Sequence, residues 1–287
     1  MNDYLVKAYA FDGTVRIYAA TTTNLVEEAR KIHDTYPAAS AAFGRVLTVS
    51  LIMGAMYKGD QILTIRVDGG GPIGKIIASV NANGVVKGLV ENPHVHISKK
   101  DKLAVGMVVG NNGFIHVTKD LKVRDVFTSS SEIQTGEIAD DITYYFAKSE
   151  QIPSSVGLGV LVNDKNEVFA SGGFILQAMP GVKEETIAKI ERKITSMKPI
   201  SELIKNKYKP EDIINLITDG SHEFVEEMPL RFECDCSKDR FFNGLATLDK
   251  NDLESLIKEN EPIEIVCEFC KTKYTFGTDE LKTILKE

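Results

Sequence analysis

The sequence of 287 residues has no tryptophan, only four cysteines and no cluster of lysine and arginine residues. Its net charge of -7 comes from 41 acidic and 34 basic side chains. A protein that binds nucleic acid mainly by electrostatic attraction needs clustered basic residues to neutralise the phosphates. The charge pattern therefore argues against a nucleic-acid-binding protein, and we expect no nucleic-acid partner.

A long apolar run without charged residues is also missing. The nearest approach is Ala38 to Met56, which carries Arg45 and many small or hydroxyl-bearing residues. A membrane-spanning helix needs about 20 predominantly apolar residues, so this stretch is predicted to form a buried core helix. The N-terminus lacks the basic region and apolar core of a secretory signal. We therefore expect a cytoplasmic protein with no membrane partner.

The first 178 residues contain many short runs in which apolar and polar residues alternate, which is the pattern of β-strands. Asp12-Gly13 separates two such runs and indicates a hairpin, and Gly69-Gly70-Gly71-Pro72 indicates another turn. A strand is also predicted at Val105 to Val109, and helical patterns occupy residues 24–36, 38–56 and 138–149. This arrangement predicts an α+β fold, with a mixed α/β core domain of antiparallel sheets over residues 1–178.

Residues 179–231 have a different pattern. Val182 to Met197 reads as a charged amphipathic helix, shorter helices are predicted at Ile200 to Lys205 and Glu211 to Ile217, and no strand is expected between Ala178 and Glu227. The segment contains 10 acidic and 9 basic residues. We expect a helical linker of low stability that packs weakly.

All four cysteines lie in residues 232–287, as the pairs Cys234-x-Cys236 and Cys267-x-x-Cys270. A segment this short buries too little surface to be comfortably stable alone. Cysteines clustered in this way, in a chain expected to be cytoplasmic, indicate a metal site rather than a disulfide framework. Four thiolates suit tetrahedral zinc. The sequence therefore predicts a small C-terminal zinc-binding domain over residues 232–287, with one zinc per chain.

The spacing of the four cysteines is compatible with two interpretations of this site. In one, an inert structural zinc site belongs to a constitutive protein- or RNA-binding module. In the other, the site is a redox switch, because two thiols separated by one residue are poised to form a local disulfide when the metal leaves. Oxidation would then remove the binding energy that folds the domain.

Other motifs lack the residues that catalysis requires. The glycine-rich run from Gly69 to Gly74 has no G-K-[ST] ending, and Ser129 to Ser131 lack a G-x-S-x-G elbow. His94 and His96 share a strand face, but no acidic residue follows at a spacing that would indicate a metal site. They are assigned no role. A thioredoxin-type βαβ pattern is absent, and four thiolates leave no open zinc position for water. We expect no enzymatic activity.

The chain resembles the bacterial family of the redox-regulated heat shock protein of 33 kDa, a zinc-dependent holdase chaperone, over essentially its full length. The resemblance rests on the two cysteine pairs and on three further runs. These are Gly69-Gly70-Gly71-Pro72-Ile73-Gly74, Gln151-Ile152-Pro153-Ser154-Ser155-Val156-Gly157 and Gly172-Gly173-Phe174-Ile175-Leu176-Gln177. The cysteine spacing together with those runs is specific to the family.

The resemblance implies an ATP-independent holdase that is inactive when reduced and zinc-bound. In that family oxidation pairs the neighbouring cysteines, here Cys234 with Cys236 and Cys267 with Cys270, and expels zinc. The linker, residues 179–231, then loses its order and, together with the core domain, offers apolar surface to unfolding client proteins. Their aggregation is thereby prevented under oxidative stress. The resemblance also implies a homodimer in the active form and hand-over of clients to ATP-dependent chaperones.

Overall fold

The computed structural model describes residues 2–99, 102–123 and 125–285. It divides into two units, and the first contains two large β-sheets with a long helix between them. The first unit ends at Phe232 and the second begins at Glu233. The strands of the first unit are β1 (Tyr4–Ala10), β2 (Val15–Thr21), β3 (Ile62–Asp68), β4 (Lys75–Asn81), β5 (Val85–Val90), β6 (Ser98–Lys99), β7 (Lys102–Leu103), β8 (Phe114–Asp120), β9 (Val126–Glu132), β10 (Ser154–Val162), β11 (Val168–Ala178), β12 (His222–Pro229) and β13 (Arg231–Phe232). Its helices are α1 (Thr23–His33), α2 (Pro37–Gly54), α3 (Val105–Val109), α4 (Ala139–Tyr145, continued by a π-helical turn at Phe146–Glu150), α5 (Glu184–Ser196), α6 (Ile200–Lys205) and α7 (Pro210–Thr218).

The two large sheets of the described chain are almost entirely antiparallel. The five-stranded sheet has the order β10-β11-β2-β1-β12, and the six-stranded sheet has the order β13-β5-β4-β3-β8-β9, in which only the short β13–β5 pair is parallel. The Asp12-Gly13 hairpin joins β1 to β2, as predicted. The predicted fold class, α+β with antiparallel sheets and a small C-terminal unit that carries the cysteines, is confirmed.

Helix α2 is the centre of the first unit. It begins at Pro37, whose fixed φ and missing N–H suit the first position of a helix. The helix contacts strands of both sheets. It is long and apolar enough to cross a membrane by length and composition, but 89% of the window with that composition is buried inside the structure. The prediction of a buried core helix is confirmed.

The strand predicted at Val105 to Val109 is wrong, because these residues form α3. Val105, Val108 and Val109 are buried, and that spacing places them on one face of a helix rather than alternating across a strand. The glycine run forms the turn between β3 and β4, as predicted, and it also lets the backbone of α3 come close. A Cβ atom at Gly71 would lie 2.4 Å from the carbonyl oxygen of Val108.

The expected absence of a strand between Ala178 and Glu227 is also wrong. Strand β12 pairs antiparallel with β1 along its whole length, with one irregularity in register opposite Lys7 and Ala8. It forms an edge of the five-stranded sheet, and nearly all of its side chains are exposed. Because neither face is buried, its sequence lacks the alternation by which a strand is recognised. Residues 179–231 therefore supply an edge strand of the core sheet as well as helices.

The three helices of residues 179–231 are packed unequally. In α7, Ile213, Ile214 and Ile217 are completely buried against the five-stranded sheet, and α6 buries three aliphatic side chains. Helix α5 buries only Ile190. The expectation of weak packing is therefore wrong for α6 and α7 and describes α5 alone.

Replacing Ile214 by alanine is expected to lower the free energy of unfolding by about 2–5 kcal/mol, because a fully buried side chain is lost and a cavity remains. Leu216→Ala is the matched control on the same helix. That side chain is 37% exposed, and its loss is expected to change the free energy of unfolding by about 1 kcal/mol or less. Urea unfolding followed by circular dichroism measures both, and equal effects would contradict this packing of α7.

Asp3 links the start of β1 to the start of α1. Its Oδ2 accepts a hydrogen bond from the Leu25 backbone N–H at 2.6 Å, and its Oδ1 accepts one from the Asn24 side-chain amide at 3.3 Å. Burial raises the pKa of Asp3 from its ordinary value of 3.8 to about 6, because the hydrogen bonds from the helix start lower the pKa by less than burial raises it. The folded chain therefore binds a proton at Asp3 more readily than the unfolded chain does.

Ionisation of Asp3 is expected to reduce stability as the pH rises through the window between its unfolded and folded pKa values. The Asp3→Asn variant lacks this ionisation. The free energy of unfolding of the wild type, relative to that of the variant, should fall by up to about 3 kcal/mol between about pH 4 and pH 7, at about 1.4 kcal/mol per unit of pKa shift. Urea unfolding of both proteins across this range measures the difference. A difference that stays constant with pH would contradict the raised pKa of this carboxyl.

Candidate metal centre

The second unit has a small apolar core. Its elements are α8 (Lys238–Leu245), α9 (Lys250–Glu259), β14 (Ile263–Val266), β15 (Lys273–Phe276) and α10 (Thr278–Ile284). The buried apolar cluster within it consists of Leu245, Leu253, Phe276, Leu281 and Ile284. A core of this size rarely stabilises a domain without a disulfide or a metal.

Cys267 and Cys270 lie in the turn that joins β14 to β15. The Cys267 N–H donates a hydrogen bond to the Thr272 carbonyl oxygen at 2.8 Å, and the Lys271 N–H donates one to the Cys267 carbonyl oxygen at 2.7 Å. Lys271 adopts a left-handed backbone conformation, with φ of 57°. Backbone hydrogen bonds therefore fix the shape of this turn.

Cys234 and Cys236 lie on a segment, residues 233–237, that has neither helix nor strand. It ends at Ser237, whose side chain caps α8 by accepting a hydrogen bond from the Arg240 N–H at 3.2 Å. The Arg240–Asp235 ion pair, 3.0 Å long, is well exposed on both sides and adds little stability. The first cysteine pair thus has less local support than the second.

The four cysteine sulfur atoms converge on one point. All four Sγ atoms lie within 4.8 Å of one another. The Sγ atoms of Cys234 and Cys267 are 3.8 Å apart, and those of Cys236 and Cys270 are 3.3 Å apart. Tetrahedral sulfur ligands with Zn–S bonds of about 2.3 Å lie about 3.8 Å from one another. The structure thus brings the four predicted ligands into an arrangement that can hold one metal ion.

The environments of the sulfurs differ. Cys267 is buried, and the other three cysteines are half-buried. Burial raises the pKa of the Cys234 and Cys236 thiols. Burial also acts to raise the pKa of Cys270, but hydrogen bonding with Thr272 and with the neighbouring thiols outweighs it and lowers that pKa to about 7. Binding a metal must therefore displace protons, above all from the first pair.

Two hydroxyl groups contact the sulfurs, and the cysteine spacing gives no sign of either. The Tyr274 hydroxyl lies 3.2 Å from Cys236 Sγ, and the Thr272 hydroxyl lies 3.2 Å from Cys270 Sγ. The hydrogen bond with Cys236 raises the pKa of Tyr274 to about 12. Thr272 immediately precedes β15 and Tyr274 lies within it. Their spacing of two residues is the one sequence signal that places both side chains on the same side of an extended chain.

Among the described residues, no histidine belongs to the group of possible metal ligands. His94 does have an acidic partner, which sequence spacing alone does not reveal, because its Nε2 lies 3.0 Å from Asp34 Oδ2. Both side chains are more than half exposed. Among the residues that the structure describes, the four cysteines are the group of possible ligands arranged around a common point.

Comparison with known proteins agrees with the geometry of the site. The model of the family described as "Hsp33 protein" matches residues 3–277. The chain belongs to the Hsp33 family. The family prediction made from the cysteine pairs and the three further runs is therefore confirmed.

Curated and solved Hsp33-family relatives match the chain over nearly their whole length. The 33 kDa chaperonin of Bacillus subtilis is 50% identical over 282 residues, which is 98% of this chain and 97% of that protein. The 33 kDa chaperonin of Bacillus velezensis is 49% identical over 287 residues, 99% of each chain. The crystal structure of the 33 kDa chaperonin (heat shock protein 33 homologue) from Thermotoga maritima superposes with a TM-score of 0.93 at 33% identity, covering 100% of this chain and 98% of that one.

A chelator that removes a metal held by the four cysteines is expected to unfold residues 233–285 and to leave the first unit folded. The small apolar cluster cannot replace a metal contribution of about 10 kcal/mol or more. Hydrogen–deuterium exchange with mass spectrometry would show loss of protection in α8, α9 and β14–β15 but not in α2.

Cys267→Ser removes one ligand and should behave like the chelated wild type. Unchanged protection of the second unit, in protein shown by elemental analysis to be free of metal, would contradict the dependence of its fold on the metal.

Proposed function

We propose that this Hsp33-family chain is a redox-regulated, ATP-independent holdase chaperone that is inactive while reduced and zinc-bound. On oxidation it forms two disulfides, loses the metal and binds unfolding proteins, which prevents their aggregation under oxidative stress. Membership of a family whose curated members are named 33 kDa chaperonin makes the chain a chaperone. The observation that carries the redox control is the convergence of four free thiols within 4.8 Å, in a unit with a small apolar core.

The proposed metal is one zinc ion per chain, held by Cys234, Cys236, Cys267 and Cys270. Four soft sulfur donors in a near-tetrahedral array suit zinc better than magnesium or calcium, which take oxygen ligands. When bound, zinc supplies the free energy that folds residues 233–285 and keeps the sulfurs as thiolates. Four protein ligands leave no open position for a substrate or water, which supports the proposal that the chain is not an enzyme.

Each cysteine pair is proposed to form its own disulfide, Cys234 with Cys236 and Cys267 with Cys270. One thiolate of a pair is oxidised by two electrons to the sulfenic acid by a peroxide or hypochlorous acid, and its neighbour then attacks and displaces hydroxide. The contacts of 3.8 and 3.3 Å between pairs exist only while the unit is folded. Partners within a pair stay close in sequence whatever the unit does, so they are the natural partners once the unit loosens.

Helix α5 is the part of residues 179–231 proposed to lose its order first. Ile190 is the one side chain that this helix buries. A cavity of about 350 Å³ lies between α5 and the five-stranded sheet, lined in part by Val15, Leu176, Ile187 and Ile194. Elements with few buried apolar contacts open most easily. Displacement of α5 would uncover these apolar side chains, which are the kind of surface an unfolding client binds.

The proposed partners are unfolded or partly unfolded client proteins and, in the active form, a second copy of the chain. Hand-over of clients to ATP-dependent chaperones is proposed as well. The net charge of -7 supports the absence of a nucleic-acid partner. Burial of α2, the described helix whose length and composition would suit a membrane, supports a cytoplasmic location without a membrane partner.

Oxidised, zinc-free protein is expected to suppress the aggregation of a thermally unfolding client, whereas reduced, zinc-bound protein should not. Light scattering of the client at its unfolding temperature measures the suppression. Zinc content and free thiols are measured on the same samples, before and after hypochlorite or peroxide with mild heat. Loss of about one zinc together with all four thiols, reversed by reductant and added zinc, is the expected accompaniment.

Equal suppression by both forms would contradict the redox switch. Zinc that is retained and thiols that stay unreactive under both oxidants would instead favour a constitutive protein- or RNA-binding module. In that case the four cysteines would form a purely structural zinc site.

A further inference from the structure

The two halves of the cysteine cluster are supported in different ways. The turn that carries Cys267 and Cys270 is held by its own backbone hydrogen bonds, in a hairpin of paired strands. Cys234 and Cys236 lie on a segment that has neither helix nor strand. Metal ligands must be held in place before the ion arrives if affinity is to be high, because each loosely held ligand loses conformational freedom on binding. The first pair therefore needs support from another element.

Tyr274 supplies a contact of this kind. Its hydroxyl lies 3.2 Å from Cys236 Sγ and 3.2 Å from the Cys236 carbonyl oxygen. The hydroxyl has one proton, which it donates to the carbonyl oxygen, while the sulfur lies close enough to share that proton or, as a thiol, to donate its own. Both contacts reach the same residue, so they position its main chain and its side chain together. When a metal is bound, Cys236 is a thiolate and has no proton to donate. In that state the tyrosine O–H is the donor, and its proton is shared between two acceptors, the sulfur and the carbonyl oxygen of Cys236, as a bifurcated hydrogen bond.

The position of the Tyr274 ring is itself fixed. Tyr274 lies in β15, where it is paired with Ile265 of β14. Phe241 of α8 packs on the ring, with centroids 5.1 Å apart and planes inclined at 38°. Strand pairing sets the direction of the side chain, and Phe241 limits its rotation. The hydroxyl is therefore held at a defined point beside Cys236.

We propose that Tyr274 is a positioning residue of the metal centre, which holds the Cys236 thiolate among the four ligands by donating a hydrogen bond to its sulfur. The inference rests on the proposed zinc-dependent function and extends it to a residue outside the ligand set. A hydrogen bond to a thiolate also withdraws negative charge from the sulfur, so it lowers the reactivity of Cys236 towards electrophiles. Tyr274 thus affects both the affinity of the site for the metal and the reactivity of the Cys236 sulfur.

The test compares zinc-loaded wild type with Tyr274→Phe, which keeps the ring and removes only the hydroxyl. Loss of a group that orients a ligand typically weakens metal binding by about 10- to 100-fold. Zinc affinity is measured by competition with a chelator of known affinity. In parallel, alkylation of the zinc-loaded protein by iodoacetamide is followed cysteine by cysteine by mass spectrometry. We expect weaker zinc binding and faster alkylation of Cys236, with Cys267 unchanged.

Two further variants separate the hydroxyl from general packing. Thr275→Val removes the hydroxyl of an exposed neighbour on the same strand and should leave both measurements unchanged. Phe241→Leu loosens the packing on the ring but keeps the Tyr274 hydroxyl. If packing alone mattered, Phe241→Leu would weaken zinc binding as much as Tyr274→Phe and would speed alkylation of all four cysteines alike, and the proposal would be overturned.

The outcome for Tyr274 is separable from the outcome for the switch. If wild type binds zinc and loses it on oxidation, but Tyr274→Phe retains wild-type zinc affinity and wild-type alkylation of Cys236, the positioning role is wrong and the proposed function stands. If reduced wild type itself binds no zinc, the proposed function fails on the wild type alone. The selective effect at Cys236 in the folded, zinc-loaded variant is the result that establishes the role.

Discussion

The meeting of four cysteine sulfurs is the interaction on which the second unit depends. The apolar cluster of that unit is small, and residues 232–287 carry 13 acidic and 8 basic side chains. Four thiolates brought together would add to this negative charge, and without a cation they would repel one another. A divalent metal ion held there would remove most of that repulsion and would join two segments separated by 30 residues. The proposed ion would therefore decide whether this part of the chain has a stable fold.

The first unit is built on the opposite principle. Helix α2 is enclosed by two sheets, and its stability comes from burial in an apolar cluster that contains no cysteine. The helices that follow the core strands differ in how much apolar surface they bury. Three isoleucines of α7 are fully buried, whereas α5 buries a single side chain. The proposed loss of the second unit therefore need not unfold the first, whose apolar core contains no cysteine. A chaperone that must act while other proteins unfold needs this division of stability.

The spacing of the cysteines suits both states of the proposed switch. Within the folded unit the short sulfur contacts run between the pairs, Cys234 with Cys267 and Cys236 with Cys270. Within a loosened chain the nearest thiol is the sequence neighbour. In the proposed switch the same four residues would share a metal in one state and form two local disulfides in the other, and the folding of the unit would select between them. The Tyr274 hydroxyl belongs to the first state, because its contact with Cys236 requires the folded hairpin.

The sequence by itself determined the cysteine cluster, the buried helix α2, the antiparallel core and the family, since each follows from local spacing, from alternation or from specific short runs. It did not determine α3, because a short apolar run suits a strand and a buried helical turn equally. Strand β12 has no buried face, so only its pairing with β1 identifies it. The burial of α7 and the position of Tyr274 beside Cys236 were likewise decided by tertiary structure. These features arise from contacts between residues far apart in the chain. No local sequence pattern identifies the distant residue with which a given residue will pair or pack.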